Sequence, residues 1–161
     1  MIDNESQFQG TAEVRARHRF DADRLSAYLN DRIDGFQGPL NVRQFKGGQS
    51  NPTYLLKSAS HQFVLRRKPP GKLLPKAHMV EREFRVMSAL STTNVPVPAT
   101  YLCCDDPSIV GTPFFLMEFL DGRIFWTSDL PHVERKDRYA YFEAMNDTIA
   151  ALHSVDYADI G

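Results

Sequence analysis

The sequence has 161 residues, 42% of them apolar, and its 19 basic and 20 acidic side chains leave a net charge of -1. This length allows one hydrophobic core, and the balanced charge excludes a global attraction to nucleic acid or to a membrane surface. The two cysteines, Cys103 and Cys104, are neighbours, which excludes a disulfide framework, and no apolar run reaches the roughly 18 residues of a membrane span. We therefore expect a cytoplasmic protein.

The first half of the chain predicts a lead-in, a helix and three strands. Residues 1–20 are polar and without a clear period, so we expect a mobile or loosely docked segment there. Leu25, Leu29 and Ile33 recur at helical spacing, and Asp21 or Asp23 is placed to cap the helix. Short connections require antiparallel pairing of the strands predicted next, near Asn41–Lys46, Thr53–Lys57 and Gln62–Arg67.

The second half predicts a helix, two strands and a long helix. These elements lie near Ala77–Ser91, Ala99–Cys104, Thr112–Leu120 and Glu134–Val155. The whole order describes an α+β fold, with a five-stranded antiparallel sheet and a helix inserted after the third strand. The last helix has an apolar side formed by Tyr139, Phe142, Met145, Ile149 and Leu152. Because little of the chain remains to cover this side, we expect a missing part after Gly161 or another subunit to do so.

The turn between the first two strands, KGGQSNPTY, is a candidate phosphate site. Gly47 and Gly48 allow close approach of the backbone to a ligand, while Ser50 and Asn51 offer a hydroxyl and an amide to phosphate oxygens. The same residues also make an ordinary tight turn. The turn lies between strands and does not open a helix, so neither the P-loop nor the dinucleotide-binding fingerprint applies.

A basic residue and an acidic residue are predicted to meet near this turn. Strand alternation places Arg66 on the face that can reach the turn, and it directs Arg67 to the other face, where we expect it in solvent. On the following helix Glu83 borders the apolar side and Glu81 faces outward. An acid at the edge of a core needs a cation, so we expect Glu83 to pair with Arg66, or alternatively with Lys76 at the surface.

Other groups of residues support weaker alternatives. The basic cluster over residues 66–76 could bind nucleic acid, but it lacks interleaved aromatic residues, so we expect no nucleic-acid partner. The five histidines lack the spacing of metal ligands, and we assign no metal site to this chain. Phe125 and Trp126 are expected to be packing residues or, alternatively, to line a pocket for a phosphate acceptor.

Taken together, these motifs resemble a known family. The phrases GGQSNPTY, FVLRRKPPGKLLPKAHMVEREFRVMSAL, VPVP, FFLMEFLDG and ALH occur in this order between residues 40 and 153. They resemble the aminoglycoside phosphotransferase and choline-kinase-like family, and in particular the phosphotransferase domains that accompany acyl-CoA dehydrogenases. The resemblance implies a protein-kinase-like N-lobe over residues 21–120, ending in a hinge, and the start of an incomplete C-lobe over residues 121–161.

The resemblance also implies roles for individual residues in binding ATP. The glycine turn would position the nucleotide, Arg66 would reach the α- and β-phosphates with Glu83 as its ion-pair partner, and the backbone of the hinge would bond the adenine edge. The implied nucleotide-binding residues are Gly47, Gly48, Gln49, Ser50, Asn51, Arg66, Glu83, Met117, Glu118 and Leu120.

One part of the family pattern is absent from the sequence. The family uses an HGDxxxxN-type loop, whose aspartate accepts the proton of the attacking hydroxyl, and a later aspartate that holds magnesium, and neither motif occurs here. We therefore assign no catalytic residue to this chain, and we expect its magnesium ligands beyond Gly161 and no phosphoryl transfer by the 161 residues alone. The expected acceptor is a small-molecule hydroxyl, possible examples being a hydroxyacyl-CoA, an aminoglycoside or a choline-like alcohol. A non-catalytic nucleotide-binding or scaffolding module is the alternative.

Overall fold

The computed structural model describes residues 9–47, 50–72, 74, 77–125 and 127–160, with the backbone alone for residue 159. Its centre is a six-stranded antiparallel sheet in the order β1-β2-β3-β4-β6-β5. The elements in chain order are β1 (Thr11–Ala12), a 3-10 turn (Ala16–His18), α1 (Ala22–Asn30), β2 (Asn41–Phe45), β3 (Thr53–Lys57), β4 (Gln62–Arg67), α2 (Val80–Leu90), β5 (Thr100–Cys104), α3 (Pro107–Val110), β6 (Phe114–Glu118), α4 (Arg138–His153) and α5 (Tyr157–Ile160). The predicted mixed fold with an inserted helix is confirmed.

Helix α1 covers one face of the sheet. The Asp21 carboxylate accepts hydrogen bonds from the backbone N–H groups of Asp23 and Arg24, at 3.1 and 3.0 Å, so Asp21 is the one of the two predicted residues that caps the helix. Leu25 and Leu29 are fully buried against the sheet. The core that they complete contains Phe36, Tyr54, Leu56, Phe63, Leu65, Cys104, Val110, Phe114 and Leu116.

Helix α2 lies on the opposite face of the sheet. Successive strand residues alternate between faces, so Leu55 and Val64, which pair across β3 and β4, both project away from α1. Phe84 of α2 packs edge-on against Phe115 of β6, with ring centroids 6.1 Å apart. This second face is therefore shared by α2 and by an open region beside it.

The lead-in is more ordered than its polar sequence predicts. Thr11 and Ala12 pair with β2 and add a sixth strand to the predicted five. The buried side chain of Gln44 fastens the next residues, because its Oε1 accepts a hydrogen bond from the Arg15 N–H at 3.1 Å and its Nε2 lies 2.9 Å from His18 Nδ1. The prediction of a loosely docked segment is thus wrong for residues 9–20, while residues 1–8 lie outside the described ranges.

The last long helix is confirmed, but it begins at Arg138 instead of Glu134. No side chain of α4 is buried, and its apolar residues are exposed as the sequence predicts, from 44% for Phe142 to 74% for Tyr139. The segment between β5 and β6 contains the short helix α3, which the Asp106 side chain caps by accepting from the Ser108 N–H at 2.8 Å. Within the described ranges no helix has the length and apolar character needed to cross a membrane.

Candidate functional site

An open cleft of about 660 Å³ lies on the face of the sheet opposite α1. Leu55 and Val64 of the central strands line it with apolar side chains. Gly47 and Thr53, at either end of the glycine turn, line another part, and Leu120 with residues 121–124 of the chain after β6 line a third. The cleft thus combines an apolar sheet surface with a glycine turn, which suits a flat apolar group that carries phosphates.

The predicted ion pair stands beside this cleft. Arg66 Nε donates to Glu83 Oε2 at 2.6 Å, and the two side chains are 27% and 36% exposed. Arg66 Nη1 also donates to the Thr53 hydroxyl at 3.1 Å, which directs the guanidinium toward the glycine turn. The predicted pairing of Arg66 with Glu83 is therefore present, while the alternative partner Lys76 lies outside the described residues.

Asn51 is hydrogen-bonded to Glu83 of this pair and does not line the cleft. Its side chain is buried, with Nδ2 donating to Glu83 Oε1 at 2.8 Å and Oδ1 lying 2.9 Å from His78 Nδ1. The amide predicted to bond phosphate oxygens is thus used inside the protein. Of the remaining turn residues, Ser50 is exposed, and Gly48 and Gln49 lie outside the described residues.

The hinge segment continues β6 along the edge of the cleft. Met117 pairs with Val64 and so shares its face of the sheet, and Leu120 is 58% exposed and lines the cleft. The Glu118 N–H donates to the Ala99 carbonyl at 2.8 Å, and its carboxylate accepts from the Ala99 N–H at 3.1 Å. The backbone N–H of Glu118 is therefore used inside the protein.

Residues 41–161 match the family model described as the phosphotransferase enzyme family. The chain belongs to this phosphotransferase family. Acyl-CoA dehydrogenase family member 11 of Rattus norvegicus is 45% identical over 155 residues, which cover 94% of this chain and 20% of that protein. Family member 10 of Mus musculus is 46% identical over 147 residues, covering 91% and 14% of the two chains. The chain thus spans a fifth or less of the length of these relatives.

A solved structure shows the same fold. A protein from Ralstonia eutropha that carries the provisional name aminoglycoside phosphotransferase superposes with a TM-score of 0.76 at 45% sequence identity. The match covers 89% of this chain and 41% of that chain. The family resemblance and the kinase-like fold predicted from the sequence are both confirmed.

Arg67 of the phosphotransferase chain is buried, which corrects the prediction that it reaches solvent. It is only 2% exposed, and it donates to the Tyr54 hydroxyl at 3.0 Å, to the His18 carbonyl at 2.9 Å and to the Val110 carbonyl. Burial raises the pKa of Tyr54, although the nearby Arg67 charge opposes this effect. Arg67 therefore joins the lead-in, β4 and the end of α3, and its role is structural.

Glu81 also differs from its prediction, because its side chain is partly buried and paired with Lys68. Its Oε1 accepts from Lys68 Nζ at 2.5 Å, and its Oε2 is buried with no hydrogen-bond partner among the described residues. Burial pushes the pKa of Glu81 upward, but hydrogen bonds from Lys68 and the backbone outweigh it and leave the pKa below its ordinary value. This pair joins the chain after β4 to α2, two residues before Glu83 of the Arg66–Glu83 pair.

Sequence reasoning missed four residues of the candidate site. Thr53 bonds Arg66, and its position opposite Arg66 in the β3–β4 register was a usable signal. Gly10 and Thr11 of the lead-in line the cleft, and His78 contacts Asn51. No sequence pattern reveals these contacts.

Phe125 lies between two cavities on the C-terminal side of the hinge. One, of about 330 Å³, also contacts Gly10, and the other, of about 770 Å³, lies along Phe142 and Met145 of α4. Phe125 also packs edge-on against Tyr141, with centroids 5.2 Å apart. Its position agrees with both interpretations given above, and Trp126 lies outside the described residues.

Proposed function

We propose that this chain forms the ATP-binding part of a small-molecule phosphotransferase, which moves the γ-phosphate of ATP to a substrate hydroxyl. One observation carries the proposal: in a chain of the phosphotransferase family, Arg66 of the Arg66–Glu83 ion pair bonds Thr53, which lines a cleft of about 660 Å³ at the end of the glycine turn. A positively charged group held behind a glycine turn is what phosphoryl transfer needs to position a triphosphate and neutralise its charge.

The residues present fit a nucleotide. The apolar side chains of Leu55 and Val64 suit an adenine ring, and we propose that the backbone of Glu118 and Leu120 bonds its edge. Glu83 and Thr53 each accept a hydrogen bond from Arg66, and these bonds keep its permanently charged guanidinium near the turn. ATP would supply the transferable phosphoryl group, and these residues would bind and orient it.

Magnesium, the general base and the acceptor belong to the same proposal. Among the described residues there is no group of three or more His, Cys, Asp or Glu side chains that could hold a metal ion. We therefore propose that other residues supply the magnesium ligands and the base. The names of the relatives, which are acyl-CoA dehydrogenase family members, favour a hydroxyacyl-CoA as the acceptor.

The proposal extends to what covers α4 and to where the protein works. The exposed apolar side of α4 is proposed to pack against a C-lobe or another subunit. Cys103 and Cys104 are both free thiols, which supports a reducing compartment such as the cytoplasm.

Binding of Mg-ATP to the intact protein tests the proposal. Arg66→Ala should weaken binding at least about tenfold, which corresponds to about 1.4 kcal/mol, because a charge-assisted contact to phosphate is lost. Arg85→Ala is the matched control, since Arg85 carries the same charge on the exposed side of α2. Calorimetric titration measures both, and equal affinities for the wild type and Arg66→Ala would reject this site.

Turnover separates the enzyme from the non-catalytic alternative. The intact protein with Mg-ATP should phosphorylate a hydroxyacyl-CoA, an aminoglycoside or choline, as detected by release of ADP. Tight binding of Mg-ATP with no ADP release from any hydroxyl acceptor would instead favour the nucleotide-binding module.

A further inference from the structure

His78 has an uncommon backbone conformation just before α2. Its φ is +56°, in the left-handed region that side chains other than glycine, asparagine, aspartate and histidine rarely adopt. Its carbonyl accepts from the Val80 N–H at 2.9 Å, and Met79, the N-cap residue of α2, makes no side-chain capping bond. Such strain persists only when the surroundings determine it, and it is concentrated at functional sites.

The hydrogen bonds around Asn51 determine which nitrogen of His78 carries a proton. A carboxylate paired with arginine only accepts hydrogen bonds, so the group of Asn51 that contacts Glu83 must be its NH₂. The amide oxygen of Asn51 therefore faces His78 Nδ1 at 2.9 Å. Since an oxygen accepts and does not donate here, the hydrogen must be on Nδ1 of His78.

This donor is the outer member of a closed network. Glu83 accepts from Asn51 with one carboxylate oxygen and from Arg66 with the other. Arg66 donates to the Thr53 hydroxyl, which in turn donates to the Asn51 carbonyl at 3.1 Å. The ring joins the glycine turn, β4 and α2, and Asn51 within it is only 3% exposed. If the Asn51 amide turned over, its oxygen would face the Glu83 carboxylate, so the ring depends on the amide's orientation.

We infer that His78 is a positioning residue of the proposed nucleotide site: by donating from Nδ1 to Asn51, it fixes the amide that holds Glu83 in place to orient Arg66. This inference rests on the proposed function and adds to it a residue from outside the glycine turn. His78 acts through Asn51, and no contact of its own with the nucleotide is required.

A pair of substitutions separates the hydrogen bond from the backbone conformation. His78→Asn keeps an N–H donor at the same branch point and tolerates a positive φ, whereas His78→Gly keeps the backbone and removes the donor. In the intact protein, we expect His78→Gly to raise the Kd for Mg-ATP about tenfold and His78→Asn to stay near the wild-type value, with similar melting temperatures. Equal affinities of all three proteins, or equal losses in both variants, would overturn the inference.

The tautomers of two histidines provide a readout that needs no nucleotide. His18 is the internal reference, because Gln44 uses its oxygen for the Arg15 N–H and must donate its NH₂ to His18 Nδ1. Burial, together with Arg17, lowers the pKa of His18, so its ring is neutral and carries the hydrogen on Nε2. Near pH 8, ¹⁵N spectra should show the Nε2–H form for His18 and a hydrogen on Nδ1 for His78, whose signal disappears in His78→Asn.

The two experiments fail in different ways. A wild-type protein that binds no Mg-ATP, but shows the Nδ1–H tautomer of His78, would reject the proposed function and keep the network. An Nε2–H tautomer at His78 would overturn the positioning role whatever the protein binds.

Discussion

Two adjacent arginines should affect different properties of the protein. Arg67→Met keeps a similar volume but removes three hydrogen bonds that the charged guanidinium donates, to the Tyr54 hydroxyl and to the carbonyls of His18 and Val110. The His18 carbonyl still accepts from the Tyr54 hydroxyl at 3.0 Å. A hydrogen bond from a charged group contributes about 1.5–3 kcal/mol, so the loss of three is expected to lower the free energy of unfolding by at least about 3 kcal/mol. Because domains are stable by only about 5–15 kcal/mol, this loss is a large part of the total.

Urea unfolding and hydrogen exchange measure the effect of Arg67→Met. At typical m values of about 1–3 kcal/mol/M, the urea midpoint should fall by about 1–3 M. Exchange should also rise at the amides of residues 11–18, because the bond to His18 ties the lead-in to the sheet. Arg66→Met is the control: its side chain is 27% exposed and Glu83 can be hydrated, so we expect a loss of no more than about 1 kcal/mol. A loss below about 1 kcal/mol for Arg67→Met, or equal losses for both variants, would refute the assigned burial.

Two further predictions concern a tyrosine and the last helix. Burial and the neighbouring Cys104 thiol raise the pKa of Tyr28 to about 12, so the folded protein should lose stability as the pH rises from about 10, where an unfolded tyrosine ionises, toward 12. Tyr28→Phe should make this alkaline loss shallower, and an unchanged slope in pH-dependent urea unfolding would contradict the raised pKa. Met145→Lys with Ile149→Lys should leave the 161-residue chain folded, because both side chains are about half exposed in α4. In the intact protein the same pair should cost at least about 3 kcal/mol, since burial of each such side chain contributes about 1.5–3 kcal/mol; a wild-type melting temperature there would mean that α4 stays uncovered.

The sequence predicts features that follow from period and local chemistry. The alternation of a strand was enough to place Arg66 and Arg67 on opposite faces, and helical periodicity was enough to bring Glu83 to the edge of α2 beside Arg66. Helical periodicity also predicts the apolar residues of α4. These features depend on residues that are close in the chain or on the register of one strand pair, so they can be predicted from a single sequence.

Features that depend on long-range polar contacts could not be predicted. Arg67 was expected in solvent because strand alternation gives the face of a side chain but not what covers that face. Its acceptors come from the lead-in and from α3, which are separated from it by 49 and 43 residues. The order of the lead-in likewise depends on Gln44, whose buried amide has no signature in the sequence. His78 was missed for the same reason, since nothing in AHMV marks a left-handed residue.

The short strand β1 has a consequence for solubility. Without it, β2 would be the outer strand of the sheet and would present a row of unpaired N–H and C=O groups to other molecules. Thr11 and Ala12 occupy part of that row, and the Glu13–Arg43 ion pair fastens the chain beside it. A shortened protein that begins after Ala12 would expose this edge as a template for pairing between copies. The choice of the first residue would then decide whether β2 is partly covered by β1 or is an unpaired outer strand that promotes aggregation.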